Sequence, residues 1–226
     1  MRAERLMDCI QKKLDRISGL HSLILYGSLI RGDFIPGTSD VDFFVVLKDG
    51  TEPEPVLQGI RPVLKECSSF LNPVEIDVAW EWLSNLRNPL SRGYPYKFLT
   101  IYQRDFRENH AVVIGEDVVT TIPTYPMEEL LSARLESTLR NLERFSGNRK
   151  MLHILAGETA RLLAFLNGSS LRKGDVIKKL EELGDMEALE VYKSYLDERK
   201  TQFREEFLKE FIRSRVEKLK GTPLLP

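Results

Sequence analysis

The chain has 226 residues, 42% of them hydrophobic, which is enough to bury the core of one large domain or of two small ones. Its 33 Lys and Arg residues nearly balance its 34 Asp and Glu residues, so the overall charge does not indicate a nucleic acid or an anionic membrane as partner. No apolar run approaches the roughly 18 residues of a membrane-crossing helix, and the charged N-terminus lacks a signal peptide's apolar stretch, so we predict a cytoplasmic protein.

The two cysteines, Cys9 and Cys67, are far apart in the sequence and do not form a CxxC motif. Such a pair is typical of a reduced intracellular protein and not of a disulfide scaffold. We therefore predict that both residues are buried, unreactive thiols.

Helix and strand patterns alternate in the first half of the chain. A three- and four-residue spacing of apolar side chains predicts an amphipathic first helix that ends near Gly19. Short apolar runs predict buried strands over 22–26 and 40–47, and a helical pattern follows over 56–70. Polar and apolar residues then alternate over 74–80, which predicts a third strand with one exposed face.

The pattern becomes helical after Pro123 and Pro126. Apolar residues keep a helical spacing over 127–145, 151–166 and 203–216. We therefore expect two domains and an α+β fold class. A small mixed sheet with flanking helices is predicted for residues 1–122, and an α-helical bundle for residues 123–226.

Two short motifs lie near the start of the chain, a Gly-Ser turn at Gly27 and Ser28 and an Asp-x-Asp pair at Asp40 and Asp42. Glycine lets backbone N–H groups approach a phosphate closely, and the serine hydroxyl adds a hydrogen-bond donor. Successive strand side chains point to opposite faces, so Asp40 and Asp42 share one face. The two motifs together indicate a site for a polyphosphate and its divalent cation.

The predicted third strand also carries acidic residues on one face, Glu75 and Asp77. Carboxylates that converge within a few ångströms repel one another by about 4 kcal/mol per pair at an effective dielectric constant near 20, unless cations lie among them. A purely structural role gives no reason to hold these repelling carboxylates together. We therefore predict that carboxylates from the two strands bind Mg²⁺ or Mn²⁺.

These residues resemble the polymerase-β-like nucleotidyltransferases, whose motif is Gly-Ser, a spacer, Asp-x-Asp, and a third acidic residue on a later strand. The resemblance covers about residues 23–80. It implies that Gly27 and Ser28 bind the triphosphate of ATP or another nucleoside triphosphate. It also implies that Asp40 and Asp42 bind the metal ions and take part in catalysis.

The resemblance leaves two choices for the third carboxylate. Single-domain members of the family place Asp at the centre of this strand, which favours Asp77 as the third metal ligand and catalytic residue. Members that modify aminoglycosides often use Glu as the base, which keeps Glu75 open.

The C-terminal helices are similar to those of two-domain aminoglycoside adenylyltransferases and of minimal nucleotidyltransferases that pair with a helical partner. The resemblance implies transfer of a nucleoside monophosphate, with AMP from ATP as the first choice, to a hydroxyl of a small molecule such as an aminoglycoside or of a protein. The alternative is an antitoxin-like or non-catalytic module that binds a nucleotide or a partner. Neither a membrane nor a nucleic acid is expected as partner, and the sequence does not fix the oligomeric state.

Three further residues near the motifs receive structural predictions. Arg31 could touch phosphate oxygens, but we predict that it lies on the solvated face of a short helix. For Trp80 and Trp82 we predict packing in the core or between the domains.

Overall fold

The structure is a computed structural model. It describes residues 2–14, 17–73, 75–92, 96–197 and 202–221. The chain divides into two units, Met1–Thr124 and Tyr125–Pro226, where the sequence predicts a boundary after residue 122. The first unit combines a sheet with helices and the second is helical, which confirms the predicted α+β class.

The elements of the first unit are α1 (Arg2–Lys13), β1 (Leu20–Tyr26), α2 (Ser28–Arg31), β2 (Val41–Leu47), α3 (Pro53–Ser68), β3 (Ile76–Trp82), α4 (Gln103–Glu108) and β4 (His110–Gly115). Its described residues contain a four-stranded sheet with strand order β3-β2-β1-β4. Strand β1 is antiparallel to β2 and to β4, whereas β2 and β3 are parallel. A parallel pair needs a crossover connection, which α3 provides.

The boundaries differ from the prediction mainly at the first helix and at the third strand. The first helix ends at Lys13 and not near Gly19. The alternating pattern predicts a start at Val74, which lies outside the described residues, and the strand begins at Ile76. The strand also continues to Trp82, two residues beyond the predicted end. Both tryptophans of this strand pack against the apolar core, as predicted.

Each face of the sheet covers a separate apolar core. On one face, Leu25 and Phe43 pack with residues of α1 and α3. On the other face, Phe44 and Ala79 pack with residues of α4 and of the segment that follows β4. Because strand side chains alternate, Asp42 lies on the same face as Phe44. The Asp42 side chain therefore points away from α1 and α3.

Cys9 on α1 and Cys67 on α3 form a disulfide, with Cα atoms 5.7 Å apart. The prediction of two reduced thiols is wrong. The pair is created by the packing of two helices on one face of the sheet, which a sequence separation of 58 residues does not reveal. Intracellular proteins of hyperthermophiles also contain disulfides, so the bond does not assign the compartment.

The second unit consists of α5 (Met127–Arg144), α6 (Arg149–Leu166), α7 (Lys173–Glu182), α8 (Met186–Leu196) and α9 (Glu205–Lys220). The apolar faces of these helices share a core. Helix α6 is the most extensively buried and packs against α8 and α9. None of the helices in the described residues combines the length and hydropathy needed to span a bilayer.

Two polar clusters link the helices of this second unit. The buried Glu158 carboxylate accepts hydrogen bonds from Arg161 and from the Tyr195 hydroxyl, both at 3.2 Å. The negative charge of Glu158, together with burial, raises the pKa of Tyr195 well above its usual range. Arg215 on α9 pairs with Asp185 at the start of α8, with 2.7 Å between Nη2 and Oδ1. These pairs fix the relative positions of α6, α8 and α9.

Candidate active site

Three neighbouring strands place Tyr26, Asp42 and Asp77 in one row across the sheet. Tyr26 is the register partner of Asp42 in the antiparallel pair, and Asp42 is the register partner of Asp77 in the parallel pair. Register partners point to the same face, and adjacent strands lie about 4.8 Å apart. The structure therefore brings Asp42 and Asp77 together as direct neighbours.

The Gly-Ser turn begins immediately after this row. Gly27 has φ +79° and ψ −152°, a conformation that essentially only glycine adopts. A Cβ atom built on Gly27 would overlap the Asp42 carboxylate and would lie 2.9 Å from its Cγ. The backbone of the turn thus lies directly against the acidic side chain. The two motifs that are separated in the sequence are in contact in the fold.

Replacing Gly27 with Ala is expected to destabilise the protein by about 1–3 kcal/mol, because an L-residue is strained at these dihedral angles. The added methyl group should also displace the Asp42 carboxylate and reduce any activity of this site by about 10²-fold, the penalty typical of a small misplacement of reacting groups. Urea unfolding and steady-state kinetics measure the two effects.

Gly32 provides the matched control, because it also has a positive φ, +84°, but a Cβ atom there would meet nothing within 4 Å. Gly32→Ala should therefore show the backbone strain without the large loss of activity. Equal activity losses in the two variants would contradict a specific role of the contact between Gly27 and Asp42.

The other two predicted site residues flank the row. Ser28 is buried and begins α2, where its carbonyl accepts the N–H groups of Gly32 and Asp33, both at 3.1 Å. Asp40 precedes β2 by one residue and is exposed. The strand thus holds Asp42 firmly, whereas Asp40 lies at the point where the loop enters the sheet.

The carboxylates of Asp42 and Asp77 fit a metal site that is completed by substrate phosphates better than a site made of protein ligands alone. Within the ranges that the structure describes, no group of three or more His, Cys, Asp and Glu side chains is close enough to hold a metal ion. Mg²⁺, however, is usually bound by one or two carboxylates together with phosphate oxygens of the substrate. Asp42 and Asp77 are hard oxygen ligands of this kind. The donor set fits Mg²⁺ or Mn²⁺ that arrives with a triphosphate, and it does not fit a site made of protein ligands alone.

Asp77 differs electrostatically from an ordinary surface aspartate. Partial removal from water, followed by the negative charge of Glu75, raises the pKa of Asp77 above its usual range. The backbone N–H of Val78 and the charge of Lys97 act in the opposite direction with smaller effect. A carboxylate with a raised pKa accepts a proton more readily near neutral pH. Without a bound cation, Asp77 is therefore protonated more readily than an ordinary surface aspartate.

Glu75, the alternative third carboxylate, is exposed and lies just before β3. Its carbonyl accepts the backbone N–H of Val41 at 3.0 Å, so its backbone begins the pairing between the strands. Asp77, and not Glu75, is the register partner of Asp42. The register therefore favours Asp77 as the carboxylate that acts with Asp42.

Replacing Asp77 with Asn is expected to stabilise the protein at neutral pH. The folded state raises the pKa of Asp77, so its ionised form disfavours folding, whereas this penalty is absent below the pKa of the unfolded chain. Because the side chain is exposed, the gain should stay below about 1 kcal/mol. Urea unfolding without divalent cations should show the gain at pH 7 and a smaller one at pH 3. The same gain at both pH values would contradict this explanation.

Tyr26 is a member of the row that sequence reasoning missed. Its ring packs against Phe98, with centroids 4.6 Å apart, and against Phe106, with centroids 5.2 Å apart. Burial, followed by the charges of Asp42 and Asp77, raises the pKa of Tyr26 so that the phenol stays neutral. Its position directly before the Gly-Ser turn was the available signal. The aromatic cluster forms an apolar floor beside the carboxylates.

Comparison with known proteins is consistent with this geometry. Residues 7–112 match the family model described as a nucleotidyltransferase domain. Among curated proteins, no sequence matches this chain. Among solved structures, the chain is similar to the spectinomycin adenyltransferase AAD(9) from Enterococcus faecialis, determined with ATP and spectinomycin, with a TM-score of 0.66 and 17% identity over 97% of this chain and 98% of that chain. At that identity the likeness establishes the fold.

Proposed function

We propose, from the premise that residues 7–112 belong to the nucleotidyltransferase domain family, that this protein transfers AMP from ATP to a hydroxyl group and releases pyrophosphate. The observation that carries the proposal is the contact between the Gly27 backbone and the Asp42 carboxylate, with Asp77 beside it. The turn proposed to bind a phosphate is therefore adjacent to the two carboxylates proposed to bind its cation. ATP is abundant in the cytoplasm, where we propose that the enzyme acts.

The residues of the site have different roles in the proposed reaction. Backbone N–H groups of the turn that begins at Gly27, together with the Ser28 hydroxyl, bind the polyphosphate. Asp42 and Asp77, with Asp40 at the edge of the site, would hold Mg²⁺ or Mn²⁺ together with phosphate oxygens. When bound, the ions neutralise charge on the phosphates as the transition state develops.

The transfer itself needs one proton acceptor. The acceptor hydroxyl oxygen forms a bond to the α-phosphorus, while the bond from that phosphorus to the oxygen bridging the β-phosphate breaks and pyrophosphate leaves. The hydroxyl proton passes to the Asp77 carboxylate, the register partner of Asp42. The neutral Tyr26 phenol and its aromatic neighbours exclude water from one side of the carboxylates.

The acceptor is proposed to be a small molecule of the aminoglycoside or aminocyclitol class. The likeness of the fold to an enzyme determined with spectinomycin supports this choice. A protein hydroxyl is the second candidate acceptor. The adjacency of Asp42 and Asp77 argues against a non-catalytic module, because like charges held this close have no structural benefit.

Incubation with α-³²P-labelled ATP and Mg²⁺ tests the proposal, once with a panel that includes spectinomycin and aminoglycosides and once with cell lysate. Label on a small molecule supports the first acceptor class, and label on a polypeptide supports the second. EDTA should abolish the transfer, and excess Mg²⁺ or Mn²⁺ should restore it. If no label is transferred under either condition, the proposed activity is wrong.

A further inference from the structure

The side chain of Arg31 is buried beside the candidate site. Arg31 lies at the end of α2, three residues after Ser28, and its side chain is only 9% exposed. Its Nη1 donates a hydrogen bond to Oδ2 of Asp105 on α4 at 2.9 Å, and its Nε lies 3.5 Å from Oδ1 of Asp33. The prediction that Arg31 lies on a solvated surface is wrong.

The short helix α2 depends on such tertiary contacts. With only four residues it contains a single turn, and an isolated turn is not stable in water. The helix ends at Gly32, which adopts a left-handed conformation. Its tertiary anchors include the buried Leu29 side chain and the Arg31 guanidinium. The orientation of the Gly-Ser turn at the start of α2 therefore depends on these anchors.

The partner of Arg31 belongs to the element that packs beside the row of site residues. Oδ1 of Asp105 also accepts a hydrogen bond from the Asn109 amide at 3.2 Å, which braces the carboxylate within α4. The ring of Phe106, the next residue on α4, contacts Tyr26. Helix α4 leads into β4, where His110 is the register partner of Tyr26. The Arg31–Asp105 pair therefore ties the turn that follows β1 to the helix that packs on the last residue of β1.

We propose that Arg31 is a positioning residue that fixes the Gly27–Ser28 turn through Asp105. The inference rests on the proposed function, since it assigns the turn to the phosphates of ATP. Arg31 acts through the turn and does not bind phosphate itself, because its guanidinium is nearly inaccessible and already faces two carboxylates. Ion pairs that are largely removed from water interact more strongly than surface pairs and hold their geometry. The pair keeps the turn against Asp42, so that the hydrogen-bond donors of the turn stay in place for a phosphate.

The inference is tested with Arg31→Met, Asp105→Asn, the double variant and Arg31→Lys. Hydrogen exchange of the amides of residues 27–33 should become faster in the Met and Asn variants, because the turn loses its anchor. Once an acceptor is identified, kcat/KM for ATP should fall by about 10²-fold, through both a higher KM and a lower kcat. The double variant should lose little more than either single variant, because both remove the same contact. Arg31→Lys keeps the charge and should recover part of the loss.

Arg104→Met is the matched control on the same helix, since Arg104 forms an exposed ion pair with Glu108 in which the side chains are 81% and 58% exposed. It should change neither the exchange of residues 27–33 nor the kinetics. A purely structural role of Arg31 would lower the melting temperature but leave KM and kcat for ATP unchanged in folded protein, and that result overturns the inference.

Exchange that is as slow in the variants as in the wild type overturns the inference whatever the activity. If the wild type transfers no nucleotide to any acceptor, the proposed function fails, and the exchange measurement alone then decides whether Arg31 fixes the turn. If Arg31→Met does not fold, Asp105→Asn and Arg31→Lys provide the same measurements.

Discussion

Replacing Asp42 with Asn is expected to abolish metal-dependent nucleotidyl transfer while the fold stays intact. Asn keeps the shape that packs against Gly27, but it removes the charge that would bind the cation beside Asp77. Loss of a group that stabilises charge in the transition state lowers kcat by about 10²–10³-fold. Labelled transfer from ATP measures the activity, and thermal unfolding checks the fold. Retention of more than a few per cent of the wild-type activity would refute the assigned role.

A matched control distinguishes the loss of the charge at Asp42 from the loss of one negative charge anywhere on the protein. Asp8 is exposed on α1, which packs on the opposite face of the sheet from Asp42. Asp8→Asn makes the same chemical change and should leave the transfer rate unaltered. If both variants lose activity together, the loss follows from net charge or folding and not from the carboxylate pair.

The sequence was sufficient to predict the faces of the strands but not their register. Alternation alone places Glu75 and Asp77 on one face of the third strand. Which of them lies beside Asp42 depends on how β3 aligns with β2. The contact between Gly27 and Asp42 depends on the antiparallel alignment of β1 with β2 in the same way. Register is a tertiary property, so the sequence left both questions open.

Long-range pairs explain the two predictions that failed. Arg31 is charged and follows a turn, so local reasoning predicts an exposed side chain, but its carboxylate partner Asp105 is 74 residues away. Cys9 and Cys67 lie on helices that look independent in the sequence and meet only because both cover one face of the sheet. In both cases burial follows from a partner that no local pattern identifies.

Reduction of the disulfide between Cys9 and Cys67 is expected to lower the free energy of unfolding by about 4 kcal/mol. The bond spans 58 residues, and in the chain-entropy model a loop of this size restricts the unfolded chain by about that amount. Urea unfolding of the wild type with and without dithiothreitol measures the difference. The Cys9→Ala/Cys67→Ala variant should unfold at the lower urea concentration under both conditions.

The same comparison separates stability from catalysis. Because α1 and α3 pack on the face opposite Asp42, reduced protein that remains folded should transfer nucleotide with an unchanged kcat. A fall in kcat upon reduction, matched by the double alanine variant in folded protein, would mean that the two faces of the sheet are coupled. The alanine variant gives the stability expected when the crosslink is absent. If the stability of the wild type does not respond to dithiothreitol, the bond does not restrict the unfolded chain in solution.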